Sequence, residues 1–223
     1  MLRLLSGGAA MALVDKMKGP LDVQGIFGAV GAMRDKLLAG EPCDIVILTR
    51  ALIDELTRQG HAVVGSARDL GIVMTGVAVK SGEPAPDVST RDALKSALRR
   101  ASGVYFPDPQ KATAGIHFMK VLQSLDIADE LRARIHNFPN GATSMAAMAK
   151  AGPGAIGCTQ VTEILHAPGV ELIGLLPKEF ELATVYTAAV CTKAQEPDAA
   201  AAFVESLASD AAASVRAQCG FET

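Results

Sequence analysis

Short apolar runs alternate along this chain with longer stretches in which apolar residues recur at helical spacing. Leu2–Leu5, Val23–Phe27 and Ile45–Leu48 read as strands, and Ala9–Lys18, Ala32–Ala39 and Ala51–Gln59 read as the helices between and after them. This β-α-β-α-β order predicts a mainly parallel sheet with helices on both faces, because parallel neighbours need a crossover connection. Ile72–Val79 is a longer strand that runs into SGEPAPDVST, a Pro/Gly/Ser stretch with the character of a linker or exposed loop. The alternation then restarts. Arg91–Arg100, Ala114–Leu125 and Thr143–Lys150 read as helices, and Gly103–Phe106, Arg134–Phe138 and Ala155–Thr159 as strands. After an apolar run at Leu172–Leu176, TVYTAAVCT (Thr184–Thr192) is a long β-branched strand, and Asp198–Gln218 an Ala-rich helical region. The two halves share one style, which predicts an α/β protein of two lobes.

Composition narrows the chemistry. The 223 residues are 49% apolar, ample for a core, but only 4% aromatic, with no Trp and two Tyr, and the net charge is −3. Stacking platforms and a basic face are both missing, so no nucleic-acid partner is expected. Four cysteines at 43, 158, 191 and 219 form no CxxC pair and read as buried thiols of a reducing compartment. The four histidines show no zinc-ligand spacing, so no metal and no cofactor is expected. Leu2–Leu5 is too short for the apolar segment of a secretory leader, and no run approaches the ~18 apolar residues of a membrane helix. The chain as it stands reads as cytoplasmic without membrane insertion, and as periplasmic if a leader preceded it.

The strand-to-helix turns carry the candidate site. Ser6-Gly7-Gly8, Gly28-Ala29-Val30, the segment from Asp108 through Lys111 and Thr113 to Ala114, and Asn140-Gly141 each place small residues before a helix. Small side chains leave the first N–H groups of a helix accessible, and these groups with the helix dipole favour an anion. Taken alone, each such turn is more often just a tight connection, and it is the four together that point to an anion. Thr49 and Arg50 end an apolar strand at the same kind of edge, where a guanidinium fork suits a carboxylate. Gly152–Gly157 satisfies GxGxxG but follows a helix and precedes a strand, the reverse of a dinucleotide site. Glu163, Glu181 and Tyr186 fit a pocket or a rim equally well.

With these residues in view, the chain resembles the type II periplasmic binding proteins, in the branch of the molybdate-binding proteins. The resemblance spans nearly the whole length and rests on SGGAA, FGAVGAM and LLAGEPCDIVILT. In the second half it rests on FPDPQKATAGIHFMKVLQSL, on GAIGCTQVTEI, and on ATVYTAAVCT running through PDAAAAFVESLAS to the closing Gly-Phe. It implies two lobes, 1–75 with a returning 185–223, and 76–184, with a small anion held in a cleft between them. Residue by residue, it implies ligand contacts at Gly8, Ala29 or Val30, Ala114 and Gly141. Gln160 stands where relatives have a tyrosine, and Glu163 takes the place of a nearby acid. Molybdate binders place serine hydroxyls in the first two loops, where this chain has Gly8 and Ala29/Val30, with Ser6 close by to replace one. That departure favours an organic di- or tricarboxylate over molybdate.

Two functions are implied. One is a solute-binding protein, with an ABC permease as partner in an exported form. The other is a cofactor-free isomerase of an unsaturated polycarboxylate, such as the similar aconitate isomerases of this branch, with His117, Lys111, Glu181 and Tyr186 as acid or base candidates.

Overall fold

The computed structural model describes residues 1–222. Its chain runs β1 (Leu2–Gly7), α1 (Met11–Met17), β2 (Val23–Gly28), α2 (Val30–Leu38), β3 (Ile45–Thr49), α3 (Arg50–Arg58) and β4 (Arg68–Lys80). There come next α4 (Arg91–Arg100), β5 (Gly103–Pro107), α5 (Thr113–Ser124), α6 (Ala128–Leu131), β6 (Ile135–Phe138), α7 (Gly141–Ala149), β7 (Ala155–Gln160), α8 (Val161–Leu165) and β8 (Val170–Leu175). It closes with β9 (Ala183–Val190), α9 (Pro197–Ala208) and α10 (Ala213–Gln218). Packing divides it into one unit of Met1–Val73 with Thr184–Thr223 and a second of Met74–Ala183. The chain passes between them inside β4 and at the start of β9.

In the first unit, β1 lies between β2 and β3 and is parallel to both, and β9 returns antiparallel on β3. Leu4, Leu5, Leu13, Ile45, Ile47 and Ile53 are fully buried in its core, closed by Phe203 and Leu207 of α9. In the second unit, β5 is parallel to β6 and β7, and β4 pairs antiparallel with both β7 and β8. Val104, Phe106, Phe118 and Leu122 form its centre, with the Phe106 and Phe118 rings edge to face at 5.3 Å. Both units are therefore α/β sheets flanked by helices, the class that the sequence pattern predicts. No helix among the described residues is long and apolar enough to cross a membrane.

Several element ends depart from the sequence reading. β4 starts at Arg68, four residues before the apolar run. A 3-10 turn at Gly8–Ala10 precedes α1, so the first helix is shorter than Ala9–Lys18. The closing helical region is broken at Ser209, whose extended backbone separates α9 from the 3-10 turn leading into α10.

Asp44 ties the first unit together. Only 2% exposed, its carboxylate accepts from the N–H of Arg3 at 2.8 Å and of Gln195 at 2.6 Å, and more weakly from Glu196 at 3.4 Å. One side chain thus joins the start of β1 to the segment entering α9. Charged-acceptor hydrogen bonds contribute about 1.5–3 kcal/mol each, and their loss strands buried N–H groups. Asp44→Ala should lower the unfolding free energy by about 3 kcal/mol in urea denaturation, with Asp44→Asn intermediate. A change within about 0.5 kcal/mol would show that these bonds carry no weight.

Candidate functional site

Each parallel strand of the first unit turns straight into a helical segment at its carboxyl end. The ladder aligns Gly7 with Gly28 and Ser6 with Ile47, so the turns after β1, β2 and β3 stand side by side along one edge. Their N-cap residues are Gly7, Ala29 and Thr49, and none offers a side-chain hydrogen bond to the helix it starts. Side-chain caps occur at two helices, α4 and α7, while α1, α6, α8, α9 and α10 also start without one. Thr90 accepts from Ala93 at the start of α4, and Asn140 and Thr143 form a reciprocal capping box on α7. The first-unit tips are left with N–H groups that no side-chain cap occupies.

Gly7 is hemmed in: a Cβ there would lie 2.8 Å from Val30 Cγ1 and 2.9 Å from Tyr186 Cε1. Gly8 opens the 3-10 turn beyond it, Gly28 ends β2 against Met33, and Ala29 and Val30 are buried. Ser6 does not replace a missing serine donor, because its buried hydroxyl gives its proton to the Gly7 carbonyl at 2.9 Å. Arg50 departs from expectation too. Its Nε donates to Asp69 Oδ1 at 2.9 Å and its Nη2 pairs with Asp69 Oδ2, so its fork already grips a carboxylate of the chain. Burial pushes Asp69 upward, but the Arg50 guanidinium and the Thr187 hydroxyl, 2.6 Å away, outweigh it and hold the acid below its usual range. Tyr186 is buried, its ring edge-on to Phe221 at 6.4 Å.

In the second unit, α5, α7 and α8 start at the carboxyl ends of β5, β6 and β7. The α5 tip (Thr113, Ala114, Gly115) has Ala112 as N-cap and no side-chain cap. It sits hard against the end of β5, since a methyl on Gly115 would overlap the carbonyls of Pro107 and Asp108. Lys111, exposed before it, gives its N–H to Asp108 Oδ1 at 3.2 Å.

The α7 tip is different. The Asn140 side chain accepts from the Thr143 N–H at 2.9 Å, and the N–H groups of Gly141 and Ala142 go to the Glu163 carboxylate. Glu163 also takes the Thr159 hydroxyl at 2.6 Å and the Gln160 N–H, while the Gln160 side chain makes no cap on α8. A side chain on Gly141 would overlap this carboxylate. The Gly141 and Ala142 N–H groups therefore serve the protein's own Glu163, and Asn140 serves its own helix, where the sequence led to a ligand contact.

Gln160 is the opposite case. It is 3% exposed, and both its Nε2 and Oε1 lack a hydrogen-bond partner. Thr75, directly across the β4–β7 ladder, carries a buried hydroxyl that is also unpartnered. Directly opposed residues share a face, so the amide and this hydroxyl project together. Such groups are rare in folded proteins, and Ser144, Thr162 and Thr184 also carry buried hydroxyls without a partner. Thr75 escaped the sequence analysis because it lies inside an apolar strand.

Two catalytic candidates are engaged otherwise. His117 Nε2 lies 2.7 Å from the Phe180 carbonyl and so carries its proton there, and Glu181 pairs with Lys178 at 2.9 Å. No group of three or more His, Cys, Asp or Glu among the described residues could hold a metal ion.

Burial raises the Glu163 carboxyl above its ordinary value of 4.5, and its four hydrogen bonds only partly offset this. Between 4.5 and the folded value, the native state holds a proton that the unfolded chain has lost. Stability should therefore fall as pH rises through that window, by at most about 1.4 kcal/mol per pH unit. Unfolding free energies measured from pH 4 upward should show this extra decline in the native protein and not in Glu163→Gln; parallel curves would contradict it.

Comparison with known proteins places this geometry in a family. Residues 9–222 match the model of the bacterial extracellular solute-binding proteins. An aconitate isomerase of Pseudomonas sp. is 31% identical over 183 residues, covering 82% of this chain and 68% of that protein. The periplasmic molybdate-binding protein of Azotobacter vinelandii superposes with a TM-score of 0.80 at 17% identity, covering 100% of this chain and 99% of its own. The sulfate-binding protein SubI of Mycobacterium tuberculosis H37Rv gives 0.72 at 18% identity, covering 99% and 85%. These two share the fold, and the match over nearly the whole sequence settles the family: the chain belongs to the bacterial extracellular solute-binding proteins.

Proposed function

We propose that this protein binds a small organic di- or tricarboxylate as a solute-binding protein, with an ABC permease as its partner. The observation that carries the reading is the buried Gln160 amide, unpartnered at both ends and facing the same way as the unpartnered Thr75 hydroxyl. The amide nitrogen donates to a carboxylate. Its oxygen needs a donor in return, which a hydroxyl or a second, protonated carboxyl provides and a bare molybdate or sulfate does not. The uncapped α5 tip in this unit adds backbone donors without adding charge. The aconitate isomerase likeness supports the same ligand class.

That likeness, at 31% identity, also favours a second reading: cofactor-free cis-trans isomerisation of an aconitate-like substrate by an allylic proton shift. Glu163, whose carboxyl holds its proton above the ordinary range, is then a better acid–base candidate than His117 or Glu181.

A thermal-shift series separates ligand classes. Citrate or trans-aconitate at 100 times its dissociation constant should stabilise the fold by about 2.7 kcal/mol, with molybdate and sulfate producing no shift. The reverse ranking would overturn the carboxylate assignment. Proton NMR of trans-aconitate in deuterated water then distinguishes binding from turnover: a solute-binding protein leaves the signals unconverted, and an isomerase yields the cis acid carrying deuterium. Gln160→Met tests the carrying observation. Removing an unpaired buried amide should raise the stability of the free protein by about 1–3 kcal/mol and abolish the ligand shift. A destabilised variant that still binds would show that Gln160 serves the fold.

A further inference from the structure

The four buried cysteines are not equivalent. Cys43 and Cys191 lie 148 residues apart in sequence, yet their sulfurs are 3.4 Å from each other inside the first unit. The β3–β9 ladder ends at Ile45 opposite Val190 and is extended by the Cys191 N–H donating to the Asp44 carbonyl at 2.9 Å. The backbone is thus pinned beside the pair, so a bond of ~2.05 Å requires side-chain rotation and a small approach. Cys158 lies within the β7 ladder and Cys219 comes directly after α10, and neither has a thiol contact among the described residues. A cavity of about 120 Å³ reaches the pair, lined by both cysteines with Glu41, His61, Thr192 and Lys193. A sealed thiol pair would have no such path.

We propose that Cys43 and Cys191 are a redox-active dithiol that closes to an intramolecular disulfide by exchange with a low-molecular-weight disulfide entering this cavity. Cys43 attacks first. It is the more exposed of the two, at 6% against 2%; its S–H donates to the Ile45 carbonyl at 3.0 Å, and the Cys191 S–H points at its sulfur. Thiolate attack breaks the incoming S–S bond, gives a mixed disulfide on Cys43 and releases one thiol. Cys191 then loses its proton to solvent and attacks the Cys43 sulfur, expelling the second thiol. Two protein thiols are oxidised and one external disulfide is reduced to two thiols. In the reduced pair the Cys191 thiol is pushed up, first by its hydrogen bond to Cys43 and then by burial. The bridge ties the start of β3 to the end of β9 and closes a loop that contains the whole second unit. This modification is independent of the ligand reading.

The test uses the full chain, reduced and then incubated with oxidised glutathione. Thiol titration in guanidinium should fall from four to two per chain, and non-reducing peptide maps should join the Cys43 peptide to the Cys191 peptide. The oxidised form should melt about 10 °C above the reduced form. Cys191→Ser should stop at a glutathione adduct on Cys43, and Cys43→Ser should take up none. Four titratable thiols after incubation, or a bridge to Cys158, Cys219 or a second chain, would overturn the assignment. The peptide map on the native sequence decides the matter whether or not a variant folds.

Discussion

A helix that begins at the end of a strand leaves its first N–H groups without intrahelical partners, and this molecule handles that deficit in two ways. At α4 and α7 it supplies an acceptor from its own side chains: Thr90 for α4, and Asn140 with Thr143, joined by Glu163, for α7. At the 3-10 turn after β1 and at α2, α3 and α5 it supplies none, and three of the four caps there are Gly7, Ala29 and Ala112. The second group stands at the carboxyl edge of parallel strands, where α/β sheets hold their ligands.

Charge is handled with the same economy. Arg50 is matched by Asp69, Lys178 by Glu181, and the deeply placed acid Glu163 is held by four donors. The groups left unmatched at the candidate site are neutral: backbone N–H groups, the Gln160 amide and the Thr75 hydroxyl. Neutral donors are cheaper to desolvate than a cation, so an anion can be gripped without an uncompensated buried charge in its absence.

The regular elements were legible because their signal is local. β1, β3, β5 and β7 are near-continuous buried runs, and the glycine and alanine turns between them mark helix starts. The start of β4 was not, because Arg68 and Asp69 are polar and are placed by pairing with other parts of the chain. The site was legible as a set of tips and not as a set of contacts. Nothing local shows that Arg50 will meet Asp69, that Glu163 will close the Gly141 turn, or that Cys43 will meet Cys191; each is a product of tertiary register. Gln160 came from its place at the end of a buried-looking strand and from family resemblance, and only the packing around it reveals that its amide has no partner.

The central claim, that unpaired neutral donors grip a carboxylate and that the self-capped tip does not, is tested most directly by amide NMR. On titration with trans-aconitate, the account predicts the largest shifts at the Gln160 side-chain NH₂ and at the N–H groups of Thr113, Ala114 and Gly115, with Gly141 and Ala142 nearly unmoved. Large shifts at Gly141 and Ala142 with a silent Gln160 amide would contradict it.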